Sequence, residues 1–117
     1  MCVDTTIDDL FVDRADHLVL AFDTLLTAML NWEPLSFGAS KHAVVFTNRT
    51  AWLIIKPMSK ALDVKFYYDE PIEHDRFHKI TQYRKKFAHH LRVKSEYEVD
   101  DELLELLRMG YDYGMEQ

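Results

Sequence analysis

Between Lys41 and Tyr68 the chain reads KHAVVFTNRTAWLIIKPMSKALDVKFYY: three short apolar runs separated by Asn48-Arg49 and by Pro57-Met58-Ser59-Lys60. Successive side chains on a strand point to opposite faces, so an apolar set at every second position marks a strand with one buried face. The third run shows that period, with Leu62, Val64, Phe66 and Tyr68 alternating with Ala61, Asp63, Lys65 and Tyr67. All three runs are rich in β-branched and aromatic residues, and the separators are turn formers. An antiparallel three-stranded meander is therefore expected, with Lys56-Pro57 closing its second strand because proline cannot donate to a ladder. Val44, Phe46, Trp52, Ile54, Leu62, Val64 and Phe66 should face the core, leaving Ala43, Val45, Leu53, Ile55 and Tyr67 as an outward apolar set.

The flanks supply helices. From Thr6 to Trp32, Phe11, Ala15, Leu18, Phe22, Leu25 and Met29 recur at three- and four-residue steps, the mark of one apolar helical face. Thr6 with Asp9 resembles a capping box, and Asp8 and Asp9 suit the positive end of the helix dipole. Glu33 to Ser40, holding Pro34 and Gly38, reads as a loop. After Asp69-Glu70-Pro71, the stretch Ile72 to Lys86 follows neither period and reads as an irregular crossing segment with one helical turn. Phe87 to Lys94 alternates again, with Phe87, His89, Leu91 and Val93 on one face. A closing helix runs from Asp100, its N-cap, to Met109, buries a stripe of Leu103, Leu104, Leu106 and Leu107, and ends at Gly110. The order is α-β-β-β-β-α. At 117 residues this is one α+β domain over residues 1–117, an antiparallel sheet of four or five strands with the N- and C-terminal helices on one face.

Composition enters where it excludes function classes. The chain is 48% hydrophobic and 13% aromatic, which argues against disorder. Cys2 is its only cysteine, so an intrachain disulfide is excluded. Met1-Cys2-Val3-Asp4 lacks the basic start and apolar core of a leader, and the apolar run Leu18 to Phe22 is far too short to span a bilayer. A cytoplasmic protein with no membrane partner is the expectation.

Catalytic motifs are scarce. Ser36, Ser40, Ser59 and Ser95 lie outside any nucleophile elbow, and three glycines cannot build a phosphate loop. His74 and His78 are four apart, the spacing of a shared metal on a helix, but no helical period surrounds them. His89 and His90, adjacent on a strand, point to opposite faces. The row Asp9, Asp13, Asp16 is accounted for by a solvated helix face. No metal, no cofactor and no catalytic residue is assigned; an enzyme would need a pocket joining Asp69, Tyr83 and His89.

Charge is the more informative signal. Net charge is −6, but residues 74–94 carry seven bases against one acid, a local +6. Arg84, Lys85, Lys86, Arg92 and Lys94, interleaved with Tyr83, Phe87 and His90, are candidates for anion or nucleic-acid contact. Neutralisation by the acids of the terminal helices, or by Glu96 and Glu98, is the competing account. The residue-level reading is a non-catalytic binding or protein-interaction module, an accessory domain that forms a homodimer or docks on a larger protein; the alternative is nucleic-acid contact through residues 84–94, and a small enzyme with a pocket near His89 is the third.

Ala43 to Phe46, Trp52 to Pro57, Leu62 to Tyr68, His89 to Val93 and Asp100 to Tyr111 together resemble the bacterial domain of unknown function fifty-six fifty-five family. The resemblance covers about two thirds of the chain and rests on hydrophobic patterning. Members stand alone or are appended to larger proteins, some looking like nuclease or restriction components, which implies an accessory or binding role. Phe87-Ala88-His89-His90 followed by Asp100 to Tyr111 is also similar to the YjbR-type, MmcQ-like domains, a resemblance that implies DNA contact and a frataxin-like layout.

Overall fold

The computed structural model describes residues 6–116; Cys2 lies outside them. Six strands form one antiparallel sheet: β1 (Ser36–Ala39), β2 (Val44–Thr47), β3 (Ala51–Pro57), β4 (Leu62–Tyr68), β5 (Phe77–Tyr83) and β6 (Lys86–Val93), in the order β1-β2-β3-β4-β6-β5. The meander β2-β3-β4 is the one expected from residues 41–68. Helices α1 (Ile7–Leu10), α2 (Asp16–Met29) and α3 (Asp101–Met115) join a single core on the inner face of the sheet.

Six strands exceed the four or five expected, and β1 and β5 are the two with no counterpart in the pattern. β1 falls in the expected loop; its sequence SFGA is short and mostly exposed, and it pairs with β2 from Ser36 opposite Thr47 to Ala39 opposite Val44. β5 falls in the segment expected to be irregular. It forms a hairpin with β6 around Arg84 and Lys85, with Arg84 in the left-handed region at φ 58°. It is an edge strand, and its register slips between Phe77 and Lys79, so its apolar residues never alternate cleanly.

The first helix is broken rather than continuous from Thr6 to Trp32. Thr6 and Asp9 do form a reciprocal capping box: the Asp9 N–H donates to Thr6 Oγ1 at 3.2 Å and the Thr6 N–H to Asp9 Oδ2 at 3.0 Å. The helix stops after one turn because Asp13 adopts φ 63°, a conformation short polar side chains tolerate. The break turns Phe11 back onto Phe22, ring centroids 4.9 Å apart. α2 then buries Leu18, Ala21, Phe22, Leu25 and Met29.

The last helix starts at its expected cap, where the Leu103 N–H donates to Asp100 Oδ1 at 3.0 Å, but runs past Gly110 to Met115. Gly110 and Gly114 are buried contact points instead of stops. A Cβ on Gly110 would sit 2.6 Å from Phe66 Cδ1, and one on Gly114 would sit 2.9 Å from Trp52 Cβ. Their missing side chains let α3 lie directly against β3 and β4.

Strand β3 corrects the expected core. Phe46 pairs with Leu53 and Thr47 with Ala51, which leaves Trp52 as an extra, bulged residue. Trp52, Leu53 and Ile55 are buried in the core and Ile54 turns to the outer face. Leu53 and Ile55, expected outside, are thus inside, and Ile54 is the reverse. Asn48, at the β2–β3 turn, fixes this corner by donating from Nδ2 to the Tyr111 carbonyl at 2.8 Å.

Candidate functional site

The outer face of the sheet follows from the register. Ile54 and Lys56 of β3 lie opposite Lys65 and Asp63 of β4. Asp63, Lys65 and Tyr67 lie opposite Arg92, His90 and Ala88 of β6. Lys79, Thr81 and Tyr83 of β5 lie opposite His90, Ala88 and Lys86. The helices all belong to the core on the other side. The connection through Ile72 does not cross the outer face either: Ile72 packs on the inner core and its N–H donates to His89 Nε2 at 3.0 Å. The outward residues thus present Lys56, Lys65, Lys79, Lys86 and Arg92 around one acid, Asp63, with Arg84 and Lys85 at the hairpin.

The aromatic rings of this face sit among its cations. Lys86 Nζ lies 4.1 Å from the Tyr67 ring centroid and 5.7 Å from that of Tyr83. Lys65 Nζ lies 5.6 Å from Tyr67, and the Arg84 guanidinium 5.7 Å from Tyr83. Such contacts hold ammonium groups over ring faces without neutralising them. Tyr83 is 53% exposed. Ala88, opposite both Tyr67 and Thr81, puts only a methyl group between them. Further along, the His78 and His90 rings are 6.2 Å apart, and His78 Nε2 lies 3.7 Å from Asp63 Oδ1. Burial lowers the pKa of His90; Asp63 opposes that shift, while Lys79 and Lys65 reinforce it.

Eight acids lie on the helices of the opposite layer, and Asp69, Glu70, Glu73 and Asp75 lie in the connection from β4 to β5. Asp8, Asp9, Asp16 and Asp23 lie on α1 and α2, and Asp101, Glu102, Glu105 and Asp112 on α3. Arg76, counted among the seven bases of the basic segment, belongs to this layer. It binds Asp100 through two parallel hydrogen bonds of 2.8 and 2.7 Å. The Asp100 carboxyl is held below its ordinary range by the Leu103 N–H and then by Arg76. Glu98 accepts from the backbone N–H of Lys94 at 2.7 Å. Among the described residues, no carboxylate lies within 4.0 Å of the charged groups of Arg84, Lys85, Lys86, Arg92 or Lys94.

The anticipated contact residues therefore separate into positions along β6. Arg84 and Lys85 form its hairpin, Lys86 opens it, Arg92 lies on its outer face near the end, and Lys94 follows it. Sequence reasoning missed Lys56, Lys65, Lys79 and Tyr67. Their outward placement in neighbouring strands was readable for β4, but the adjacency of β4 to β6 was not. Asp69, Tyr83 and His89 do not share a cleft. His89 is fully buried on the inner face, Tyr83 projects from the outer face, and Asp69 is exposed past the end of β4 beside a groove lined by Tyr68, Met109 and Asp112. Among the described residues, no three His, Cys, Asp or Glu side chains are grouped to hold a metal ion, and no helix is long and apolar enough to cross a membrane.

No curated protein and no solved structure gives a significant match to this chain. A family model described as "Domain of unknown function (DUF5655)" matches residues 7–114. With that span running from the first turn of α1 to the last turn of α3, the chain belongs to the DUF5655 family.

Proposed function

We propose that this domain is a non-catalytic binding module that docks an anionic partner on the open outer face of its sheet. The observation that carries this reading is charge segregation. Among the described residues, cations with no carboxylate within 4.0 Å crowd the face without helices around one acid, Asp63, while eight acids lie on the helices opposite. Fields of this kind orient and hold oppositely charged partners even when net charge has the other sign. Face-to-face pairing of two copies would bring like charges together, so the charge pattern favours a separate partner over a homodimer built on this face.

The test is chromatographic. At pH 7.5 and low ionic strength, about 10 mM, charges act over roughly 30 Å. Under those conditions the protein is expected to be retained on heparin or sulfonate resin despite a net charge of −6. A variant carrying K85E, K86E and R92Q should pass through unretained with an unchanged circular dichroism spectrum. Adding T27E on the exposed side of α2 should leave retention as it was. Failure of the unaltered protein to bind, or equal retention of the K85E/K86E/R92Q variant, would overturn the reading.

A further inference from the structure

We infer that the anionic partner is a single-stranded nucleic acid lying along β6, its phosphates on the flanking cations and its bases on Tyr67 and Tyr83. This rests on the docking face proposed above and narrows it to one class of ligand. A cationic face alone fits any polyanion. Rings placed between the cations add a requirement for flat groups that alternate with the negative charges.

The geometry supports that requirement in three ways. First, the rings stand on the strands either side of β6, Tyr67 on β4 and Tyr83 on β5, with Lys86 over both at 4.1 and 5.7 Å. A lysine held at a ring face by a weak contact is displaced readily by a base and stays close enough to meet the adjoining phosphate. Second, Ala88 puts only a methyl group between Tyr67 and Thr81 on that face. Third, the cations continue past the rings along the same strand. From Lys86 to Arg92 β6 rises about 20 Å at its usual pitch, and Lys65 and Lys79 flank it at His90. The surface is a track of cations, broken by Asp63 opposite Arg92, with the rings at one end.

The same features disfavour a duplex. Bases in a duplex are stacked on each other and offer only their edges, which a flat sheet face cannot reach inside a groove. A duplex would meet the lysines and leave the tyrosines unused. A single strand uses both, because every unstacked base has a ring face to offer.

The experiment is a fluorescence-anisotropy titration of the full chain with labelled oligo(dT), oligo(rU) and a duplex, each about 12 nucleotides long, within the usual range of site sizes. Inorganic tripolyphosphate and heparin serve as competitors without rings. The single strands are expected to bind more tightly than the duplex at equal salt. Y83A should weaken single-strand binding by about fivefold or more and leave displacement of the protein from heparin unchanged. Y83F, which keeps the ring, should bind as the unaltered protein does. Y67A should act in the same direction; Y83A, at the more exposed position, keeps the test valid if Y67A folds poorly. K86A should reduce the slope of log K against log salt by about 0.7, the value for one lost phosphate contact on a single strand. Duplex binding equal to or tighter than single-strand binding, or Y83A and Y67A proteins that bind single strands unchanged, would overturn this inference. Heparin retention with no preference for bases would leave the anionic docking face standing, whereas absence of binding to heparin, tripolyphosphate and oligonucleotides alike would remove both.

Discussion

Phe66→Ala is expected to destabilise the fold by about 3–5 kcal/mol, the usual cost of deleting a buried phenylalanine. Phe66 is fully buried at the centre of the inner face. Its ring stacks on His89 at 5.3 Å and 8°, meets Phe77 edge-on at 5.7 Å, and supports α3 at Gly110. Few neighbours can collapse into the space, because two of them are rings held by other contacts. Gly110→Ala should destabilise through the opposite fault. The added methyl would lie 2.6 Å from Phe66 Cδ1 and 3.1 Å from Phe66 Cβ, and overpacking of this kind costs about 1–3 kcal/mol. The two substitutions act on one contact, so the double variant should lose less than the sum of the single ones. Urea unfolding of all four proteins measures this. Additive losses would show that α3 is not seated on Phe66 in solution.

Stability should fall as pH drops below about 6.5, the ordinary histidine value. His89 is fully buried, and burial lowers its pKa. Its Nε2 accepts the Ile72 N–H at 3.0 Å, which leaves Nδ1–H to donate to the Phe87 carbonyl, also at 3.0 Å. The neutral ring thus satisfies two backbone groups. A proton on Nε2 would face the Ile72 N–H and release the connection between β4 and β5. Below 6.5 the unfolded chain takes up a proton that the folded chain refuses until its own lower pKa is reached. The stabilisation is therefore complete above 6.5 and lost on acidification through that window, by about 1.4 kcal/mol per pH unit for one proton. His90 is shifted in the same direction and adds to the slope. The lowered Asp100 carboxyl acts later, in the carboxylate range, where acidification removes its stabilisation as well. Urea unfolding at about pH 7.5, 6.5 and 5.5 spans the histidine window. His89→Gln should remove one proton's worth of slope whatever it does to the plateau. A flat or rising profile in the unaltered protein would show that His89 is not held neutral by the fold.

The meander was legible because its alternation is local: Leu62, Val64 and Phe66 face the core as their spacing requires. The caps were legible for the same reason, since Thr6 with Asp9, and Asp100 with Leu103, lie three residues apart. The broken first helix was harder to see. Its apolar spacing continues from Phe11 to Leu18 whether or not the backbone does, and the turn at Asp13 goes with the packing of Phe11 on Phe22, a contact the spacing does not record. Gly110 and Gly114 look like helix stops along the chain and become contact points only when Phe66 and Trp52 lie beneath them.

For the candidate site the division is similar. The concentration of bases in residues 74–94 was plain in the linear order, as was the shared face of His90 and Arg92, because both depend on neighbours along one strand. Sheet order and register decided the rest. The bulge at Trp52 exchanged Ile54 for Leu53 and Ile55, β6 settled between β4 and β5, and Arg76 went to Asp100 in the helical layer. Local spacing by itself determined which residues share a strand face. Only the tertiary structure decided which faces meet and which stay open, because strand pairing joins residues far apart in the chain and no short-range period records it.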